Sequence, residues 1–313
     1  MKLKKRRSNI PFYLKLLLIL LLVAAVGVEA FFYLYIRSMF YPTKKSINIT
    51  PSMLLLESIT VEIVAQDGVK VSGWLLLNKN SKNKVILMVP GYNANKADLL
   101  NLGSKLYALG YSLLLIDLRG HGESDGDKSY MGIKEKDDIV ASLTYIMNDN
   151  RLKANSVAIW ADNVSAYAAV LAVERFPQVK LLLLNNIYPN PLLYLRKNIR
   201  LPFSVPERIS DFFIFQNVKF ILGLNPEEYD LNSVLSGMKG RSLVFFQTKL
   251  PEFDYVKELY QVSPERKELI QMDRVGTEAL RASDWEMYNE IMKEKLSMYF
   301  PLHETSSIVP LDE

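Results

Sequence analysis

The sequence predicts an α/β protein in which a mostly parallel, doubly wound sheet follows an N-terminal transmembrane helix. Short apolar runs alternate along the chain with amphipathic helical patterns, as in successive strand–helix units. The runs are apolar at nearly every position, which is typical of strands covered by helices on both faces. An apolar stretch at 12–36 is longer than the ~20 residues that a helix needs to span a bilayer.

The charges around this stretch predict its orientation. Lys15 and Glu29 are the only charged residues within 12–36, and the tail at 1–11 carries five basic residues. The tail outweighs the basic residues that follow the stretch, so the positive-inside rule places the N-terminus in the cytoplasm. We therefore expect a single-pass protein of the cell membrane, in which 12–36 contacts the bilayer and the folded domain is extracytoplasmic.

A cleaved signal peptide is the alternative interpretation of the same stretch. Residues 28–30 form a small-x-small sequence of the kind that a signal peptidase cleaves. The apolar run resumes at Phe31, which favours an uncleaved anchor. Both interpretations export the folded domain.

Composition excludes several classes of function. The chain has no cysteine, so disulfides, thiolate nucleophiles and cysteine-based zinc sites are excluded. The net charge is +4, of which 1–45 carries +8, and this leaves −4 on 46–313. A nucleic-acid-binding domain would need a basic surface on its folded part, so no nucleic-acid partner is expected.

Strands and helices alternate through the rest of the chain. Asp67-Gly68 lies between two alternating, β-branched runs and predicts a hairpin. Buried strands are predicted at 84–90, 111–117, 156–160, 180–185, 242–247 and 268–273. Helices are predicted at 96–109, 134–148, 164–176, 252–262 and 284–299.

The stretch at 187–234 interrupts this alternation. It holds five prolines and many aromatic residues, and we interpret it as a small inserted cap of short helices. The cap would lie over the carboxyl edge of the sheet, where open α/β sheets bind ligands. The remaining boundaries are a linker at 37–57, the α/β domain at 58–300 and a C-terminal tail at 301–313.

Three short motifs carry a family resemblance. The sequence at 117–124 reads DLRGHGES, Met131-Gly132 precedes Glu135 and Asp138, and Gly91-Tyr92 follows the third strand. Over the whole α/β domain the chain resembles the α/β-hydrolase superfamily, specifically membrane-anchored bacterial members near the serine aminopeptidase and prolyl-oligopeptidase-like branch. The resemblance implies an α/β-hydrolase fold, in which a serine at a sharp strand–helix turn is activated by a histidine and an acid.

The turn that carries the family's nucleophile falls at 161–165 of this sequence. The turn is so sharp that the residues two before and two after its centre must be small. Ala161 and Ser165 meet this condition when Asn163 is the centre. Asparagine is enriched at positive φ, so we expect the turn to persist without a nucleophilic hydroxyl. A displaced triad with Ser165 as nucleophile is the alternative.

The other two catalytic positions also depart from the family pattern. Pro251 stands where the family has its acid, and Thr277 stands where it has its histidine. Glu252 and Asp254 lie beside Pro251 and are the alternative acids. No base is therefore expected within reach of residue 163. The chain's two histidines lie in the turn after the fourth strand and in the tail: His121 and His303.

We expect a pocket to remain at the carboxyl edge of the sheet. The resemblance places oxyanion-hole-like N–H groups there, on Tyr92 and Val164. No metal or cofactor is expected, because no metal-binding or nucleotide-binding motif is present. The further pocket candidates are Gly91, Asp162, Ser165, Tyr167 and Tyr188.

These observations predict a membrane-anchored, catalytically inactive hydrolase-like protein that binds a lipid, an acylated envelope component or a partner protein. One alternative is an active carboxylesterase, thioesterase or peptidase with a rearranged site. Another is a structural member of a membrane complex. A pocket lined by Tyr92, Tyr167 and Tyr188 would favour ligand binding, and a filled pocket would favour the structural role.

Overall fold

A computed structural model describes residues 11–199, 201, 205–249, 255–282 and 285–302. Some sequence-based expectations fall on residues outside these ranges. They concern the basic tail up to residue 10, the acid position with its alternatives, and the second histidine: Pro251, Glu252, Asp254 and His303.

One sheet of eight strands forms the centre of the described chain. Its order is β1-β2-β4-β3-β5-β6-β7-β8, in which β1, β2 and β4 pair antiparallel and all the other neighbours pair parallel. The predicted doubly wound, mostly parallel sheet is therefore confirmed. The strands are β1 (Ile59–Val64), β2 (Lys70–Leu76), β3 (Lys84–Val89), β4 (Ser112–Ile116), β5 (Ser156–Asp162), β6 (Val179–Asn185), β7 (Ser242–Thr248) and β8 (Lys267–Met272).

Ten helices occur in the described part of the chain. The stretch expected to form a cap holds three of them, α5 to α7. Helix α9 was not predicted, because six residues are too few to show a helical period. The helices are α1 (Phe12–Ser38), α2 (Leu100–Ala108), α3 (Glu135–Asn148), α4 (Val164–Ala172), α5 (Pro191–Asn198), α6 (Glu207–Leu222), α7 (Leu231–Ser236), α8 (Tyr255–Val262), α9 (Gly276–Arg281) and α10 (Trp285–Tyr299).

Apolar side chains fill both faces of the sheet. Ile159 and Trp160 are neighbours on β5 and point to opposite faces, yet both are fully buried. One face packs against helices that include α3, α4 and α6, and the other packs against α2, α9 and α10. This two-sided burial explains why the strands read as unbroken apolar runs.

Helix α1 is long and apolar enough to cross a membrane, with a mean hydropathy of 2.5. Most of its length is exposed, but Phe32 and Ile36 are buried against the domain, and Phe40 follows them into the same core. The carbonyl of Phe40 accepts a hydrogen bond from Ser129 N–H over 2.8 Å. The beginning of the segment assigned as a linker, 37–57, is therefore fastened to the domain.

Candidate functional site

The candidate site lies where β3 and β5 end side by side. The two strands are parallel neighbours, so Gly91 and Tyr92, which follow β3, lie beside Asp162 and Asn163 at the end of β5. The carboxyl edge of a parallel sheet is where such folds bind ligands. The structure thus brings the strand–helix turn and the residues after β3 together.

Asn163 joins β5 to α4 with a backbone conformation that few residues adopt. Its φ is 40° and its ψ is −100°, so the positive φ expected from the sequence is observed. Among residues other than glycine, asparagine is one of the few that tolerate this region. The turn places the N-terminus of α4 directly after Asn163.

The side-chain carbonyl of Asn163 lies where two backbone N–H groups converge. Tyr92 N–H donates to Oδ1 over 3.0 Å, and Val164 N–H donates to the same atom. In serine hydrolases, two such N–H groups hold the negatively charged oxygen of the reaction intermediate. Here an oxygen of the protein takes both hydrogen bonds, so the donors are satisfied without a ligand.

Thr277 lies in the same site, at the beginning of α9. It is nearly buried, and its N–H donates to Oδ2 of Asp162 over 2.9 Å. Its hydroxyl oxygen is 3.5 Å from the N–H nitrogen of Gly91. Thr277 therefore lies beside the turn, and the side chain that it places there is a hydroxyl.

Asp162 is the buried acid of this site. Burial raises its pKa to about 6, although its hydrogen bonds with Thr277 act in the opposite direction. Two glycines make room for the carboxylate. A Cβ atom on Gly91 would lie 2.8 Å from Oδ2, and one on Gly276 would lie 2.3 Å from Oδ1. Sequence reasoning placed Asp162 in the pocket but missed its contact with Thr277, because no motif joins residues so far apart in the chain.

Ser165 has a structural role in the turn. Its hydroxyl accepts a hydrogen bond from Asp162 N–H over 2.7 Å and lies 2.8 Å from the carbonyl oxygen of Val89, to which it can donate. The side chain is fully buried. These contacts tie the turn to β3, and they leave the alternative of a Ser165 nucleophile without an accessible hydroxyl or a neighbouring base.

His121 is buried next to Tyr92 of the site. Its Nδ1 lies 2.9 Å from the carbonyl oxygen of Arg119, and because a carbonyl only accepts, Nδ1 carries the proton. Burial lowers the pKa of the ring. The ring packs edge-on against Tyr92 at 5.7 Å between centroids. His121 makes no hydrogen bond to Asn163 or Thr277 within the described chain.

Tyr167 and Tyr188 differ from our expectation of pocket-lining residues. Both are fully buried, and their rings stack at 4.9 Å between centroids. The hydroxyl of Tyr167 donates to the carbonyl of Tyr229, and that of Tyr188 donates to the carbonyl of Met131. The two rings fill the space between α4 and the cap, and of the candidate pocket residues only Tyr92 and Asn163 are partly exposed.

The family motifs near the site form buried ion pairs that support the loops. Arg119 is paired with Asp138 over 2.7 Å and with Asp67 over 2.6 Å. Glu135 accepts hydrogen bonds from the N–H groups of Tyr130 and Gly132 over 2.7 and 2.9 Å. These contacts explain the spacing of the motifs without any part in chemistry. Among the described residues, no group of three histidines and acids is placed to hold a metal ion.

Tyr92 also connects the site to the membrane helix, which sequence reasoning missed. Its hydroxyl donates to the carbonyl of Met39, one residue beyond α1, over 2.7 Å. The backbone of the same residue donates to Asn163. The end of α1 therefore lies against the candidate site.

No protein-family model matches the chain. A thiohydrolase of Arthrinium phaeospermum is 28% identical over 137 residues, which are 43% of this chain and 44% of the thiohydrolase. The chain thus matches less than half the length of this curated relative.

Solved structures share the fold. An esterase of Pyrococcus furiosus has a TM-score of 0.63 at 22% identity, over 83% of this chain and 98% of the esterase. An α/β hydrolase of a Penicillium species has a TM-score of 0.58 at 17% identity, over 78% of this chain and 99% of the hydrolase. The chain therefore has the α/β-hydrolase fold.

Proposed function

We propose that this chain is a catalytically inactive α/β-hydrolase-like protein, anchored in the cell membrane, that binds a ligand without cleaving it. The observation that carries the proposal is the side chain of Asn163, whose oxygen accepts the N–H groups of Tyr92 and Val164. An amide is a poor nucleophile. Thr277 supplies no base in place of histidine, and a serine-type reaction needs both a nucleophile and a base.

The two N–H groups indicate the chemistry of the ligand. If the side chain of Asn163 turned away, Tyr92 and Val164 could donate to a ligand oxygen instead. They lie at the N-terminus of α4, where a carboxylate, a phosphate or a polarised carbonyl is favoured. We therefore propose a lipid or an acylated envelope component as the ligand, with a partner protein as the alternative. Tyr167 and Tyr188 fill the space beside the turn, which favours the remaining candidate, a structural member of a membrane complex. Ligand binding therefore requires the side chain of Asn163 and these rings to move.

A fluorophosphonate probe tests the proposed inactivity. The full chain in detergent should not be labelled, and it should not hydrolyse p-nitrophenyl esters faster than buffer does. The matched control is Ser165→Ala, because it removes the one serine of the turn. Stoichiometric labelling of any serine in the wild type would overturn the proposal, and its loss in Ser165→Ala would identify the nucleophile.

An active thioesterase or esterase with a rearranged site is the second candidate. The similarity to a thiohydrolase and to an esterase favours it. Its test is the hydrolysis of acyl thioesters of several chain lengths by the full chain. Activity that disappears in Thr277→Val or Ser165→Ala would support this candidate over the inactive protein.

A further inference from the structure

The cap helix α6 packs directly on the membrane helix α1. The ring of Phe213 stacks on Phe32 at 4.5 Å between centroids. Asn217 donates from its side-chain nitrogen to Glu29, the only acid of α1, over 3.1 Å. The contact between the two helices is therefore built of both an aromatic stack and a polar pair.

The depth of α6 follows from the residues that it touches. Residues 24–33 of α1 and 205–220 of the cap line two open grooves, of about 880 and 600 Å³, on the two sides of this contact. A hydrocarbon core takes up ~20 helical residues. Any 20-residue segment within 12–36 contains residues 17–31, so these residues lie in the hydrocarbon core wherever the span begins. If α1 spans the bilayer, α6 therefore lies beside a part of it that is at hydrocarbon depth.

The exposed side of α6 carries three large apolar side chains, beside the polar Arg208, Gln216 and Lys219. Ile209 is 49% exposed, Phe212 59% and Phe220 75%. They continue the apolar surface of α1, on which Val26 and Val28 are also exposed. Large aromatic side chains on one side of an amphipathic helix are typical of helices that lie in a membrane interface.

Basic side chains gather next to these helices. Lys128 and Lys134 place their Nζ atoms 4.5 and 4.3 Å from the ring centroid of Tyr130. Lys128 also donates to the carbonyl of Ile221, near the end of α6. Its pKa is lowered first by burial and then by the charges of Lys134 and Arg37, against the opposite effect of Asp127 and Glu135. Arg37 is exposed one helical turn beyond the groove, at the level expected for phosphate head groups.

We propose that α6 is an interfacial membrane helix and that, with α1, it binds an anionic phospholipid of the leaflet on the domain's side. The acyl chains occupy the grooves beside Phe32 and Phe220, and Arg37, Lys128 and Lys134 contact the phosphate. The inference rests on the membrane anchoring in the proposed function. It deepens that proposal, because the ligand of the Asn163 site would then be an amphiphile that approaches from the same leaflet.

The absence of cysteine makes the depth of α6 directly measurable. Phe212→Cys and Phe220→Cys, each carrying a nitroxide, are placed in the full chain in nanodiscs of phosphatidylcholine and phosphatidylglycerol. The matched control is Met298→Cys on α10, a residue that is 58% exposed on the opposite face of the sheet. Both α6 labels should be several-fold more accessible to oxygen than to a water-soluble nickel complex, and the control should show the reverse. Labels on α6 that behave like the control would overturn the proposal.

Native mass spectrometry of the detergent-solubilised full chain tests the head-group contact. Lys128→Gln/Lys134→Gln should retain several-fold less phosphatidylglycerol than the wild type. Lys180→Gln/Lys239→Gln removes the same charge from exposed positions elsewhere and should retain the wild-type amount. Equal retention by both pairs would contradict the phosphate contact. Neither readout depends on chemistry at residue 163, so fluorophosphonate labelling would overturn the inactive function and leave this inference standing.

Discussion

Asn163 combines two properties that the α/β-hydrolase turn requires at one position. Its backbone accepts φ of 40°, and its side chain supplies an oxygen to two N–H donors that would otherwise face an empty site. A serine could adopt the turn, but its shorter side chain carries no carbonyl to take up both donors. In the proposed function, the residue preserves the geometry of the turn and supplies no nucleophile.

Replacing Asn163 alone should not create a hydrolase. Asn163→Ser restores a hydroxyl and frees the two N–H donors, but Thr277 cannot take the proton. We expect no p-nitrophenyl ester hydrolysis above buffer from the single variant. The triple variant Asn163→Ser/Pro251→Asp/Thr277→His supplies a nucleophile, an acid and a base together. It is the first variant in which we expect measurable ester hydrolysis. Strong hydrolysis by the single variant would mean that another base serves the turn.

The charge of Asp162 should make stability depend on pH. Burial raises its pKa from the ordinary 3.8 to about 6, so the folded protein holds this proton more tightly than the unfolded chain does. The free energy of unfolding should therefore fall as the pH rises from 3.8 to about 6, and should then level off. A shift of this size corresponds to ~3 kcal/mol.

Asp162→Asn should flatten this part of the stability curve. The measurement is the melting temperature of the full chain in detergent across the pH range that brackets the shift. Glu57→Gln, at an exposed position, should keep the wild-type slope. If Asp162→Asn keeps the wild-type dependence of melting temperature on pH, the buried Asp162 carboxylate does not cause that dependence.

For individual residues, the sequence predicted where a residue lies in the chain's turns better than it predicted which residues contact each other. Steric reasoning about small flanking residues placed Asn163 at the turn with positive φ, and both are observed. The pairing of Asp162 with Thr277 was not predictable, because it depends on how the loop after β8 meets the end of β5. The stacking of Tyr167 on Tyr188 depends on the cap in the same way, and it closes the space that we expected to be open.

Among the elements, the parallel strands were the most predictable. The strands inside the sheet are buried on both faces, so each apolar run stands out from its surroundings. Strand β8, at the edge of the sheet, is mostly half-buried. The cap was less predictable. Its prolines and aromatic residues indicated short helices, but they did not show that α6 packs on α1.

The ion pairs that join the loops should be important for stability. Arg119→Met leaves the carboxylate of Asp138 buried without its cation, which should lower the free energy of unfolding by ~3–5 kcal/mol. Arg151→Met breaks the pair with Asp149, in which the arginine is about half exposed, and should cost only ~0–1 kcal/mol. Thermal unfolding of both variants in detergent measures the difference. Equal losses would mean that burial does not decide the contribution of these pairs.

For the whole molecule, orientation in the membrane remains the main prediction. From the charge asymmetry around 12–36 we predict that the domain lies outside the cytoplasm. Protease added to intact spheroplasts should degrade the domain and leave a membrane fragment of about residues 1–40. Lysed spheroplasts are the control. Protection of the domain until lysis would reverse the topology.

The contact between Met39 and Tyr92 has a consequence for how the bilayer acts on this protein. Helices tilt when the hydrocarbon thickness departs from their own apolar length. The end of α1 holds the hydroxyl of Tyr92, and the N–H of that residue reaches Asn163. A tilt of α1 would therefore shift one of the two donors relative to the other. If α1 spans the bilayer, we expect ligand binding at the site to change with membrane thickness.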